Sequence, residues 1–119
     1  GRQMRVQPGS DGGKVLQITD DPPENNCRPA ADYLFRSAAN HYPGRSMAVI
    51  LTGMGADGAA GLLKLRQAGS CTIAQDEESC VVFGMPKEAI ARGGAKHVVT
   101  LLKMPSMLLD CLEKLAVAA

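Results

Sequence analysis

Apolar positions along the chain change their spacing several times, and each change marks an element. Near the start, "QMRVQPGSDGGKVLQIT" holds two short runs of alternating character around a Gly/Asp/Ser cluster. That pattern predicts a β-hairpin with strands over Gln3–Gln7 and Lys14–Thr19. "DDPPENNCRP" then breaks all periodicity, and its prolines and asparagines predict an extended connection rather than a helix interior. "AADYLFRSAANHY" places Ala31, Leu34, Phe35, Ala38 and Ala39 on one helical face, with Pro29 ahead of it and Pro43-Gly44 closing it. "SMAVILT" is a continuous apolar run of strand length, as expected of a strand covered on both sides. A second helix is expected from Asp57 to Ala68 on the spacing of Ala60, Leu63, Leu65 and Ala68, with Gly69 stopping it.

"SCTIAQ" reads as the next strand, whereas "DEESCVVFG" has no clear period. "MPKEAIARGG" predicts a short helix with Pro86 near its first position and Gly93 at its end. "AKHVVTL" reads as a strand, and "PSMLLDCLEKLAVA" as an amphipathic closing helix starting beside Pro105 and Ser106. From Ala31 the order is α-β-α-β-α-β-α. Short connections in that order predict an α/β fold: a doubly wound, mostly parallel sheet flanked by helices, preceded by the hairpin. The 119 residues suit one domain or part of one, divided as hairpin 1–19, linker 20–30 and α/β unit 31–119.

Composition narrows the function classes. Hydrophobic residues at 45% and charged residues at 21% are ordinary globular values. The net charge of +1 comes without a basic stripe, and 3% aromatics leave little surface for stacking bases, so a nucleic-acid partner is not expected. No apolar run is long enough to cross a bilayer, and no signal peptide is visible. The opening Gly-Arg-Gln-Met, without an initiating Met, suggests a chain processed or cut from a longer one. Cys27, Cys71, Cys80 and Cys111 are separated by 44, 9 and 31 residues, with no C-x-x-C pair and no histidine at ligand spacing. Idle thiols are therefore expected, rather than a metal site or a disulfide framework.

The stretch with the most chemistry is "ILTGMGADGAAG", Ile50 to Gly61. Gly53, Gly55 and Gly58 form G-x-G-x-x-G between a strand and a helix, with Asp76, Glu77 and Glu78 about 20 residues on, as in a dinucleotide site. Asp57 opposes that reading, because a carboxylate at the helix N-terminus takes the amides a phosphate needs. Two unit charges about 5 Å apart at an effective dielectric of 20 repel by roughly 3 kcal/mol. Two other readings stay open. Asp57 can be a plain N-cap with glycines permitting a tight turn. Alternatively, it is an acid at the carboxyl edge of a parallel strand, placed to orient a histidine as in a Ser-His-Asp triad, with nearby main-chain N–H groups serving as an oxyanion hole.

"AVILTGMGADGAAGLLKLRQAG" followed by "TIAQDEESCVVFGMPKEAIARGGAKHVVTL" resembles the C-terminal part of the catalytic domain of the chemotaxis protein-glutamate methylesterases, the CheB family. Upstream, "RPAADYLFRSAA" is similar to the family's Arg-Pro-Ser-x-Asp-x-Leu-Phe segment, and "GRQM" to the end of its Pro-Gly-x-x-His-Met strand. The resemblance implies an esterase that hydrolyses glutamyl methyl esters on methyl-accepting chemotaxis receptors in the cytoplasm and deamidates certain glutamines, without a cofactor or metal. It also implies a triad whose acid matches Asp57 and an oxyanion hole to which Met54 contributes its main-chain N–H.

The family's nucleophile lies in a Gly-x-Ser-Thr-Gly-Gly segment and its base in a Gln-His-Met-Pro segment. Neither occurs in this sequence, so the chain by itself is expected to be inactive. A receiver domain can precede the catalytic domain in the parent protein. Gln3 stands where the family usually has His, and Cys27 where His often precedes Arg-Pro. Inside the chain, His41 and His97 are expected to be structural, and Ser79 a turn or helix-start residue. Cys80 is a poor nucleophile, since Asp76, Glu77 and Glu78 oppose thiolate formation. The rival class is a non-catalytic interaction module, self-associating through an unpaired sheet edge.

Overall fold

The structure, a computed structural model, describes residues 1–118. The hairpin forms as its alternation predicts, with β1 (Gln3–Pro8) antiparallel to β2 (Lys14–Thr19) and Gln3 opposite Thr19. After the connection come α1 (Ala31–His41), β3 (Met47–Ile50), α2 (Ala59–Gln67), β4 (Cys71–Gln75), α3 (Met85–Ala91), β5 (His97–Val99) and α4 (Met104–Ala118). A single 3₁₀ turn, Leu101–Lys103, leads into α4. Thr100 starts it, accepting from the Lys103 N–H at 3.3 Å.

Strands β3, β4 and β5 form a parallel sheet in that order, with Met47 opposite Cys71 and Ile73 opposite His97. Side chains alternate across it. Ala48 and Ile50 enter one core with Ala59, Leu62, Leu65 and Ala89 from α2 and α3, and Phe35, Ala38 and Ala39 of α1 pack against it. Met47, Val49, Cys71 and Ile73 face the other way, toward Met104, Met107, Leu108 and Cys111 of α4. The sheet therefore has helices on both faces. Its β3 edge has no strand partner among the described residues. The hairpin is fixed to α1 by Ser37, whose hydroxyl accepts from the Val6 N–H at 2.9 Å and donates to the Leu34 carbonyl at 2.7 Å.

Two expectations fail here. The second helix starts at Ala59, not Asp57. The cysteines are not all idle: Cys71 and Cys111 are bonded, with Cα atoms 6.4 Å apart, while Cys27 and Cys80 are free. Forty residues separate the pair in sequence, and only the packing of α4 across β4 joins them. Local spacing carries no trace of such a contact.

Leu62 is fully buried between α1, α3 and the sheet. Leu62→Ala should lower the unfolding free energy by about 2–5 kcal/mol in urea titration. A loss under about 1 kcal/mol would show that this core does not carry the fold.

Candidate active site

Asp57 lies in the turn between β3 and α2, at the carboxyl edge of the sheet, and is 7% exposed. Its carboxylate does not cap its own helix. Oδ2 accepts from the Ala31 N–H at 2.7 Å, and Oδ1 accepts from the Asp32 N–H at 3.1 Å. Both amides belong to the first turn of α1, where helical N–H groups lack internal partners and the dipole favours an anion. Ala30, at the N-cap of α1, has no side chain that could do this. The preceding amide, Ala30 N–H, goes to the buried Gln3 Oε1 at 2.8 Å. Three successive amides are thus satisfied from remote parts of the chain.

Helix α2 is served in return. Gly58 occupies its N-cap without a side-chain bond, and the Gly61 N–H donates to Asp32 Oδ1 at 2.7 Å. That approach requires glycine at 61, since a Cβ there would stand 2.6 Å from Phe35 Cβ and 3.0 Å from Asp32 Oδ1. The amide of Asn25 bridges the two acids, donating to Asp32 Oδ2 at 2.8 Å and to Asp57 Oδ1 at 3.0 Å. The acid on the α2 amide is therefore Asp32, while Asp57 serves the neighbouring helix. A pyrophosphate at the glycine-rich turn would have to displace a buried carboxylate, which removes the support for a dinucleotide site.

The Gly-Met-Gly turn is held from the opposite side by residues 82–85. Gly53 N–H donates to the Val82 carbonyl at 3.0 Å, and the Gly53 carbonyl accepts from Gly84 and Met85 N–H at 3.1 and 2.8 Å. A Cβ on residue 84 would lie 2.7 Å from that carbonyl, so only glycine permits the contact. Gln75, fully buried, completes the support. Its Oε1 accepts from the Thr52 N–H at 2.8 Å, and its Nε2 donates to the Ser79 carbonyl at 2.8 Å. Met54 stands out from this scaffold at 85% exposure, and no described residue accepts from its N–H.

The remaining candidates lie elsewhere. His41 ends α1, the helix whose opposite end holds Asp57, about 15 Å away along 10 residues of helix. His97 opens β5 on the α4 side of the sheet, its pKa lowered by burial and then by Lys96, Lys114 and Arg66. Ser79 is a turn residue, its hydroxyl donating to Asp76 Oδ1 at 2.6 Å and accepting from the Leu101 N–H at 3.1 Å. Burial raises the Cys80 thiol pKa, and Asp76 adds to that. Asp76, Ser79 and Cys80 share the turn after β4, while Asp57 and Met54 share the turn after β3. Asn25, Asp32, Gln3 and Gln75 form its support without having been assigned roles. Gln3, Asp32 and Gln75 lie in the segments that carry the family resemblance, whereas Asn25 left no signal.

The sequence matches the family described as "CheB methylesterase" over residues 1–108. The chain belongs to that family. It is 57% identical over 99 residues to protein-glutamate methylesterase/protein-glutamine glutaminase 1 of Geobacter metallireducens, covering 83% of this chain and 27% of that protein. The counterpart in Desulfotalea psychrophila is 50% identical over 105 residues, 87% of this chain and 29% of that one. The crystal structure of the Thermotoga maritima CheB methylesterase catalytic domain superposes with a TM-score of 0.86 at 38% identity, covering 92% of this chain and 57% of that one. The chain thus spans about a quarter to three-tenths of these curated relatives' length and is a fragment of the family's catalytic domain.

Asn25→Ala should leave two buried acids without their shared donor. A loss of about 1–3 kcal/mol is expected, read as a lower urea midpoint at unchanged slope. A variant as stable as the parent would mean that the bridge contributes nothing.

Proposed function

We propose that this chain supplies the acid and part of the oxyanion hole of a protein-glutamate methylesterase and glutaminase acting on chemoreceptors in the cytoplasm. The observation that carries the reading is the state of Asp57. Its carboxylate is fixed by two main-chain amides and one side-chain amide at the carboxyl edge of a parallel sheet. A carboxylate has about four acceptor positions, so one remains, on Oδ2. That position suits the Nδ1–H of an imidazole, holding its tautomer and stabilising the imidazolium.

In this mechanism a serine and a histidine come from polypeptide outside the present sequence. The serine attacks the glutamyl ester carbonyl while the histidine takes its proton. The Met54 N–H donates to the developing oxyanion, a role favoured by its place on a turn pinned on both flanks. The proton passes to the leaving oxygen, releasing methanol, or to the leaving nitrogen of a glutamine, releasing ammonia, and water then hydrolyses the acyl-enzyme to glutamate.

The non-catalytic reading draws on the unpaired edge of β3, where a second copy or a partner strand can add. Under it, the chain should self-associate with rising concentration in size-exclusion chromatography.

A graft separates the two. The matched 99 residues of the Geobacter relative are replaced by the corresponding residues of this chain, and methanol release from a methylated receptor peptide is measured. The folded graft should turn over, and Met54→Pro, which removes the N–H, should lower kcat by about 10²–10³-fold. The isolated chain should match a buffer blank. A folded but inactive graft, or an active one indifferent to Met54→Pro, would contradict the proposal.

A further inference from the structure

A second cluster of reactive groups lies on the other face of the sheet, at the amino end of its strands, and does not depend on the esterase reading. Cys71 opens β4, His97 lies opposite Ile73 on β5, and Cys111 reaches down from α4. The two sulfurs and an imidazole nitrogen all lie within 4.8 Å of one another. Cys111 is buried, while Cys71 and His97 are half-buried. A cavity of about 190 Å³ opens onto them, lined also by Ser70, Lys96 and Lys114.

We propose that this cluster is a redox-gated zinc site, disulfide-bonded and metal-free when oxidised, and holding Zn²⁺ when reduced. A disulfide alone has no use for a histidine, yet Cys₂His is an established zinc donor set that leaves one position for water. At a tetrahedral zinc with Zn–S about 2.3 Å the sulfurs lie about 3.8 Å apart. The sulfurs are bonded to each other at present, and Cα atoms 6.4 Å apart leave room for that separation once the bond is broken. Lys96 and Lys114 favour the thiolates. Two thiolates then cancel the ion's charge, so the lysines face a neutral centre.

The chemistry balances with named reagents. A trialkylphosphine attacks one sulfur and breaks the S–S bond. Water then converts the thiophosphonium to phosphine oxide, leaving two thiols. Zn²⁺ displaces both thiol protons as it binds. In the reverse direction, hydrogen peroxide takes two electrons from the two thiolates, giving the disulfide and two hydroxides and releasing the metal.

The test uses the full chain and Co²⁺, whose thiolate charge-transfer absorption reports the ligands directly. After phosphine reduction, one equivalent should bind with that absorption, be displaced by Zn²⁺, and be lost on peroxide treatment. Untreated chain should bind none. Cys27→Ser with Cys80→Ser should leave the signal intact, and Cys71→Ser should remove it. His97→Ala, which keeps both sulfurs, should weaken binding about 10-fold or more. Zn²⁺ should raise the melting temperature of the reduced chain only. No absorption in the reduced, folded chain, a signal surviving Cys71→Ser, or full affinity in His97→Ala would each overturn the proposal.

Discussion

Two buried acids exchange helices in this fold, and the arrangement of the carboxyl edge depends on that exchange. Asp57, from the turn before α2, binds the first amides of α1, and Asp32, from α1, binds the Gly61 amide of α2. Each carboxylate meets the positive end of a helix dipole, which makes its burial tolerable. Asn25 lies between them and donates to both. Neither helix can move without breaking the other's cap. The distance from α1 to the β3–α2 turn is therefore set by hydrogen bonds, with apolar packing of Phe35 behind them.

The role proposed for Asp57 needs this kind of fixation. An orienting carboxylate must hold one direction, and a side chain with three donors has little freedom left. The same economy governs the Gly-Met-Gly turn. Gly53 bonds residues 82–85 through both its N–H and its carbonyl, and Gln75 ties the turn to the segment carrying Ser79. The glycines of the motif thus serve close backbone approach and turn geometry, and the Gly53 and Gly61 amides are not offered to a phosphate there.

Most of the fold was legible because it rests on local signals. Alternation gave β1 and β2, turn residues gave the helix ends, and βα alternation gave the parallel sheet. The misreadings share a physical cause. The start of α2 slipped by two residues because Asp57 looks like an N-cap, and nothing local says that its carboxyl serves another helix. The Cys71–Cys111 bond and the Asp32–Asn25–Asp57 bridge join residues between 7 and 40 positions apart, and no period encodes them. Asn25 was hidden further by its setting in a connection of prolines and acids, where it takes a left-handed φ of 55°.

Asp57 and Asp32 carry similar structural burdens, so a pair of isosteric changes isolates the chemical role. In an active graft, Asp57→Asn and Asp32→Asn should both lower the melting temperature. At a temperature where both remain folded, only Asp57→Asn should reduce kcat, by about 10⁴-fold, because a mispaired imidazole tautomer cannot act as base. Equal kcat values in the two folded variants would contradict the account and leave Asp57 as a helix cap and nothing more.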